Sequence, residues 1–208
     1  MNLMKSMLVG ALVITGFSAQ AQQDPDNGFN GRQAKFGIKG GVNFATITGD
    51  DFDTPDSRTS FHVGALVELP VADIFSIQLE ALYSGQGAEA EFRGSDGDKA
   101  ELQLDYINVP VLAKLYIIPN LSVEVGPQFS FLINDEFDYN PNSGDGDIDL
   151  EGTAMEARKF EVGGAAGLTL QTQSGIFATG RYIYGFKNIY DGVDAKNSVF
   201  QLGVGYRF

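Results

Sequence analysis

From residue 200 to 208 the chain reads Phe-Gln-Leu-Gly-Val-Gly-Tyr-Arg-Phe, so that every second residue is apolar or aromatic. A period of two is the mark of a strand with two unlike faces. Phe200, Leu202, Val204, Tyr206 and Phe208 form one face, while Gln201, Gly203, Gly205 and Arg207 form the other. The same alternation runs through Lys35–Thr46, Thr59–Leu69, Phe75–Ser84, Glu101–Ile117, Leu121–Ile133, Arg158–Leu170 and Gly175–Phe186. With Ser198–Phe208 this makes eight segments, most of a length that crosses a bilayer as a tilted strand, about 9 to 11 residues. Lipid cannot satisfy the backbone groups of an open sheet edge, so strands that cross it must close on themselves. The fold class expected is all-β, an eight-stranded antiparallel up-and-down transmembrane barrel.

The connections alternate in kind. Pro70–Asp73, Pro119–Asn120 and Gln171–Ser174 are short, whereas Ile47–Arg58, Gly85–Ala100, Asn134–Ala157 and Lys187–Asn197 are long. Short turns and long loops then belong to opposite ends of one barrel, the short ones expected in the periplasm together with both termini. Upstream, Lys5 precedes an apolar run from Met7 to Phe17, followed by Ser18-Ala19-Gln20-Ala21, a small-x-small cleavage pattern. The run falls well short of the roughly 20 residues of a membrane helix. The expected organisation is a signal peptide over residues 1–21, a periplasmic segment over 22–34 and the barrel over 35–208. The chain contains no cysteine, so neither disulfides nor thiolate metal sites enter the account.

Parity assigns the faces strand by strand. Phe36, Ile38, Val42 and Phe44 oppose Lys35, Lys39 and Asn43; Phe61, Val63, Val67 and Leu69 oppose His62 and Glu68. Phe75, Ile77, Leu79 and Tyr83 oppose Ser76, Gln78 and Glu80; Val123, Val125, Phe129 and Phe131 oppose Glu124, Gln128 and Ser130. In the fourth segment Leu102, Leu104 and Tyr106 share one parity, but Ile107, Val109, Val111 and Leu115 share the other. A β-bulge near Tyr106 and Ile107 would keep both halves on the lipid face, and Pro110 fits an irregular ladder. Aromatics near the segment ends read as two interfacial girdles. A secreted lipocalin-like barrel has the same strand count with the faces reversed. The alternating connections and the terminal phenylalanine favour the membrane.

The segments Asp105-Tyr-Ile-Asn-Val-Pro-Val-Leu-Ala-Lys114, Gly126-Pro127, Gly180-Arg-Tyr-Ile-Tyr-Gly-Phe-Lys-Asn-Ile189 and Gly205-Tyr-Arg-Phe208 resemble the small outer-membrane "porin family" barrels of Bacteroidetes-type bacteria, including PorT-like proteins. The resemblance implies a bacterial outer-membrane location. It also implies that the barrel assembly machinery reads Tyr206 and Phe208 as a terminal signal. It carries no catalytic residue onto this chain.

Function must then lie in the lumen or the loops. The inward parity collects Glu68, Glu80, Asp105, Glu124 and Glu161 with Lys35, Lys39, Lys114, Arg181 and Arg207. Pairs expected from neighbouring strands are Lys39 with Glu68, Lys114 with Glu124, and Glu161 with Arg181. Eight strands enclose room for side chains only, so the expectation is a plugged polar lumen, a monomer, and no constitutive pore. Most of the formal charge of −13 falls in the long loops, which repel nucleic acid and acidic polysaccharide. An extracellular ligand or protein partner would meet those loops. Asp145-Gly-Asp-Ile-Asp-Leu-Glu151 has alternating carboxylates suited to calcium, yet Leu150 stands where an EF-hand loop needs glycine, and a solvated loop is the plainer reading.

His62 is the only histidine and shares a face with Ser60, the pairing an acyl-transfer site would need if Glu161 or Asp105 oriented the ring. No nucleophile motif accompanies it. The expected role is therefore a structural or surface-interaction barrel, not an enzyme, with no cofactor and no metal. A narrow solute channel or a component of a secretion or assembly complex is the alternative, and a lipid-modifying enzyme a remote one.

Overall fold

The computed structural model describes residues 33–49, 56–91, 99–139, 147–149, 158–189 and 195–208. The strands are β1 Lys35–Thr48, β2 Asp56–Ala72, β3 Phe75–Glu91, β4 Lys99–Ile118, β5 Leu121–Tyr139, β6 Asp147–Asp149, β7 Phe160–Gln171, β8 Ile176–Gly185 and β9 Lys196–Arg207. All pairings are antiparallel, in the order β4-β3-β2-β1-β9-β8-β7-β5, and a β4–β5 pairing closes the ring of eight. β6 is a three-residue addition that pairs with β5 beyond the ring. β9 closes against β1 with Gly37 opposite Arg207 and Thr48 opposite Lys196. The expected up-and-down barrel is therefore the fold.

Burial separates the two faces. Ile38 is 60% exposed and Val204 65%, whereas Glu80 and Arg181 are each 1% exposed. Apolar side chains surround the barrel and charged ones fill it, the reverse of a lipocalin and the arrangement a bilayer requires. Phe200, Leu202, Val204, Tyr206 and Phe208 all point outward; Gln201, Gly203 and Arg207 are buried. Aromatic pairs mark both ends of the outer face. Phe61 and Tyr83 have ring centroids 5.4 Å apart, Phe131 and Phe160 5.2 Å, and Tyr206 and Phe208 6.4 Å.

Two details differ from the sequence reading. The strands at the long-connection end run further than a bilayer demands: β3 has 17 residues, β4 20 and β5 19. The β3–β4 ladder continues to Glu91 opposite Lys99, so most of the expected loop Gly85–Ala100 is strand. Backbone pairing continues wherever both partners remain extended, and membrane thickness does not stop it. The bulge falls beside Tyr106 as expected, but on the partner strand. Asp105 faces Asn134 and Tyr106 faces Leu132, which makes Ile133 of β5 the extra residue.

β4 consequently keeps one phase. Leu104, Tyr106, Asn108, Leu112 and Lys114 are all buried inside. The expectation that Leu104 and Tyr106 meet lipid is corrected, because at this end the interior is itself apolar: Ile47, Ala88, Leu104, Tyr106, Ile189 and Ala195 pack together, with Leu102 and Leu132 against them. Apolar parity there no longer signals lipid.

Candidate functional site

The polar interior is built in three levels from the short-turn end upward. Lowest is Glu68 of β2, beside Pro70. Its carboxylate accepts hydrogen bonds from the Tyr116 hydroxyl and from Arg207, and Lys114 Nζ lies 3.4 Å away. Arg207 also donates to Gln171 Oε1 at 2.5 Å. Below this level, at the short-turn mouth, opens a recess of about 360 Å³ whose lining includes Lys35, Glu68, Asp73, Ser76, Tyr116 and Gln171.

The middle level centres on Arg181 of β8. Its Nη1 and Nη2 donate to the two oxygens of Glu80 on β3 at 2.9 and 2.7 Å, and its Nε and Nη2 donate to Glu124 Oε1 on β5 at 2.9 and 2.6 Å. One planar guanidinium thus ties two walls of the barrel to a third, the bidentate geometry in which arginine excels. Lys39 adds an ion pair to Glu80 at 3.2 Å, Gln78 donates to the same carboxylate at 2.5 Å, and Thr169 donates to Glu124 at 3.0 Å. Lys114 links this level to the lower one, standing 3.9 Å from Glu124 while donating to Gln78 Oε1 at 2.9 Å.

The highest level lies under the apolar cluster. The Tyr106 hydroxyl donates to Glu161 Oε1 at 2.6 Å, and Asn197 Nδ2 donates to Glu161 Oε2 at 3.2 Å. Between the middle and upper levels, His62 Nδ1 is 2.8 Å from Asn43 Oδ1, which also accepts from Gln201 Nε2 at 3.0 Å. The ring sits against glycines: a Cβ on Gly41 would come within 2.9 Å of His62 Cε1, and one on Gly203 within 3.0 Å of Nε2.

The structure brings together Lys39, Glu68, Glu80, Lys114, Glu124, Arg181 and Arg207. It pairs Lys114 with Glu124, which stand opposite each other in register. It does not pair Lys39 with Glu68 or Glu161 with Arg181. Register places Lys39 opposite Gly64 and Arg181 opposite Gly167, so each expected partner lies several residues along its strand, at about 3.4 Å per residue. Lys35 is exposed at the short-turn mouth. Asp105, expected in the lumen, is on the outward parity of β4, hydrogen-bonded to the Tyr83 hydroxyl. The single phase of β4 puts it there.

Tyr116, Gln171 and Asn197 take part without having been singled out; Asn43 was assigned inward but given no partner, and Tyr106 takes part against the expectation that it meets lipid. The even parity of Tyr116 with Lys114 was a usable signal; nothing in the sequence marks the reach of Asn197 to β7. Tyr206 and Phe208 lie on the exposed outer face, with Phe208 N bonded to Phe36 O at 2.9 Å. The leader over 1–21, nearly all of 22–34 and the calcium reading of Asp145–Glu151 lie outside the described residues, apart from the backbone of 147–149.

A closed ring of eight strands, with lipid-type residues outside and a cross-braced polar interior, defines a small outer-membrane barrel. The chain belongs to the outer membrane protein beta-barrel domain family, whose pattern matches residues 20–191. Its structural relatives include Ail, the attachment invasion locus protein of Yersinia pestis, at 15% identity and a TM-score of 0.53, covering 85% of this chain and 99% of that one. Neisserial surface protein A is similar at 11% identity and a TM-score of 0.53, with the same coverage. No curated protein matches by sequence.

Proposed function

We propose that this protein is a monomeric, non-catalytic outer-membrane barrel whose plugged lumen holds acidic extracellular loops rigidly in place for a cationic ligand or protein surface. Both termini are periplasmic in this reading. The Arg181 cross-brace carries it: a buried guanidinium spanning β8, β3 and β5 ties the walls together through the space a channel would occupy. The even strand number and the alternation of short and long connections support the orientation. Outer-membrane lipid and the barrel assembly machinery are its standing partners, the latter through Tyr206 and Phe208. Within the family, the Asp105–Lys114 and Gly180–Ile189 segments align it with the Bacteroidetes-type porin-family barrels.

The charge of the long loops selects against polyanions. Ail has been solved with the heparin analogue sucrose octasulfate, and the acidic loops of this chain argue against carrying that ligand over. Planar-bilayer recording of the purified protein tests the plug. A flat baseline is expected, and large stable openings would overturn the reading. Crosslinking and pull-down on intact cells should capture a partner with a basic surface, released by high salt.

A narrow passage for small solutes is a second reading, favoured by one observation. His62 Nε2, Thr179 Oγ1, Gln201 Oε1 and both amide atoms of Asn108 are buried with no hydrogen-bond partner among the described residues. Buried polar atoms of this kind are normally met by water. Osmotic swelling of vesicles in small neutral sugars separates the readings, since only the passage admits them.

A further inference from the structure

The ladders of the long-connection end break along one line. β2 pairs with β3 at Ser57–Ala88 and again at His62–Ser84, and between them Gly85, Gln86 and Gly87 have no backbone partner on β2. Gly87 has a φ of 121°, in the region that favours glycine, and a Cβ there would stand 1.9 Å from Leu102 O. On the next strand Asp105 lies opposite Gly85, and between Asp105 and Tyr106 the β4–β5 register shifts around Ile133. Just below, β5 parts from β7, since their pairing ends at Phe131 opposite Phe160. A ladder break, a left-handed glycine and a bulge thus form a crease across β3, β4 and β5.

The sheet above the crease covers the mouth. Its Ala88, Leu102 and Leu104 pack with Ile47, Ile189 and Ala195, and Ile189 follows β8, which is not adjacent to β3 or β4 in the ring. Two side chains of the ring hold the backbone freed at the crease: Asn43 Nδ2 donates to Gly85 O at 2.7 Å, and Arg58 Nη1 donates to Gln86 O at 2.8 Å. Buried carbonyls that leave a ladder need such donors. On the lumen side of the crease are the amides of Asn108, Gln128 and Gln201, each with a buried polar atom that has no hydrogen-bond partner among the described residues.

We propose that the sheet above the crease is a hinged lid, latched by Arg58 and Asn43 and seated on Ile189, which admits small uncharged polar molecules from the long-connection end to this amide layer. Swinging it breaks the two latch bonds, the β2–β3 pairs at Asp56 and Ser57 and the apolar seat, while the β3–β4 and β4–β5 ladders stay whole. A charged molecule would bury its charge unpaired among the amides, so neutral ones are selected. The Arg181 level below stays shut, which makes the layer a one-ended binding site. The lid goes beyond the scaffold role proposed above and does not depend on which mouth faces the periplasm.

The chain has no cysteine, so single engineered thiols report access. Ser130→Cys, on β5 opposite Asn108, lies beneath the lid; Ser122→Cys, further down the same strand past Glu124, lies below the Arg181 level. In the folded, detergent-solubilised barrel, methyl methanethiosulfonate should modify Ser130→Cys roughly tenfold faster once Arg58→Met removes a latch, because a charged donor to a buried carbonyl is lost. Ile189→Ala, which removes the seat by a different route, should accelerate it as well. Neither change should alter the rate at Ser122→Cys, and the anionic sulfonatoethyl reagent should lag at Ser130→Cys. An unchanged rate at Ser130→Cys in either folded variant, equal acceleration at Ser122→Cys, or equal labelling by the anionic reagent would each overturn the lid as stated. Heat-modifiable migration verifies that every variant is folded. Planar-bilayer current through the Arg58→Met barrel is a separate readout: it should stay flat, and openings would overturn the plug while leaving the lid in place.

Discussion

Arg181 is the side chain whose loss leaves the largest electrostatic debt inside the barrel. Glu80 and Glu124 each keep one lysine, Lys39 at 3.2 Å and Lys114 at 3.9 Å, but lose the four hydrogen bonds that the guanidinium supplies. Breaking a buried pair from one side costs about 3 to 5 kcal/mol, because the remaining charge stays desolvated. Arg181→Met should therefore lower the unfolding free energy of the refolded barrel by that amount, read from its urea midpoint and slope, and a loss under about 1 kcal/mol would show the cross-brace to be dispensable. Arg181→Lys should fall between the two, since an ammonium keeps the charge without the fork. At the glycines beside His62 the issue is space. A Cβ on Gly41 would stand 2.0 Å from Leu202 O, on the rigid β1–β9 seam, whereas on Gly203 its nearest neighbour is the His62 ring at 3.0 Å. Gly41→Ala should sharply reduce the heat-modifiable, folded fraction, and Gly203→Ala should reduce it much less; equal effects would mean that the seam gives way.

At the scale of elements, β9 shows what a single strand can disclose. Its alternation alone assigned every side chain to lipid or lumen, and it meets β1 as expected, because a period-two pattern survives only if one face is buried throughout. Deleting Phe208 removes an outward ring stacked near Tyr206 and the backbone bond to Phe36 O. It should cut the amount of assembled barrel in the membrane while barely changing the unfolding midpoint of the protein that does assemble. A large midpoint shift would mean that Phe208 acts through stability and not through assembly. β4 shows the opposite case. Its inward Leu104 and Tyr106 look like lipid-facing residues, since the pattern of one strand cannot reveal that the interior opposite is apolar. The bulge that reconciles the register sits in β5 at Ile133, and neither strand alone discloses which of the two carries the extra residue.

Across the whole molecule, the members of the polar interior were mostly legible from parity, but their partners were not. Arg181 bonds carboxylates on β3 and β5, neither of them adjacent to β8 in the ring, so the pairing depends on barrel radius and stagger, which sequence separation does not encode. The same geometry puts two seals in series: the ionic level around Arg181 and, above it, the apolar cluster of Ile47, Leu104, Tyr106 and Ile189. Resistances in series are governed by the larger. Glu80→Ala/Arg181→Ala should empty the ionic level and still record a flat baseline in a planar bilayer, and Leu104→Ala/Tyr106→Ala should do the same with the ionic level intact. Only the fourfold variant should conduct. Conductance from the ionic double variant alone would show the apolar cluster to be open, and would favour the solute passage over the closed scaffold.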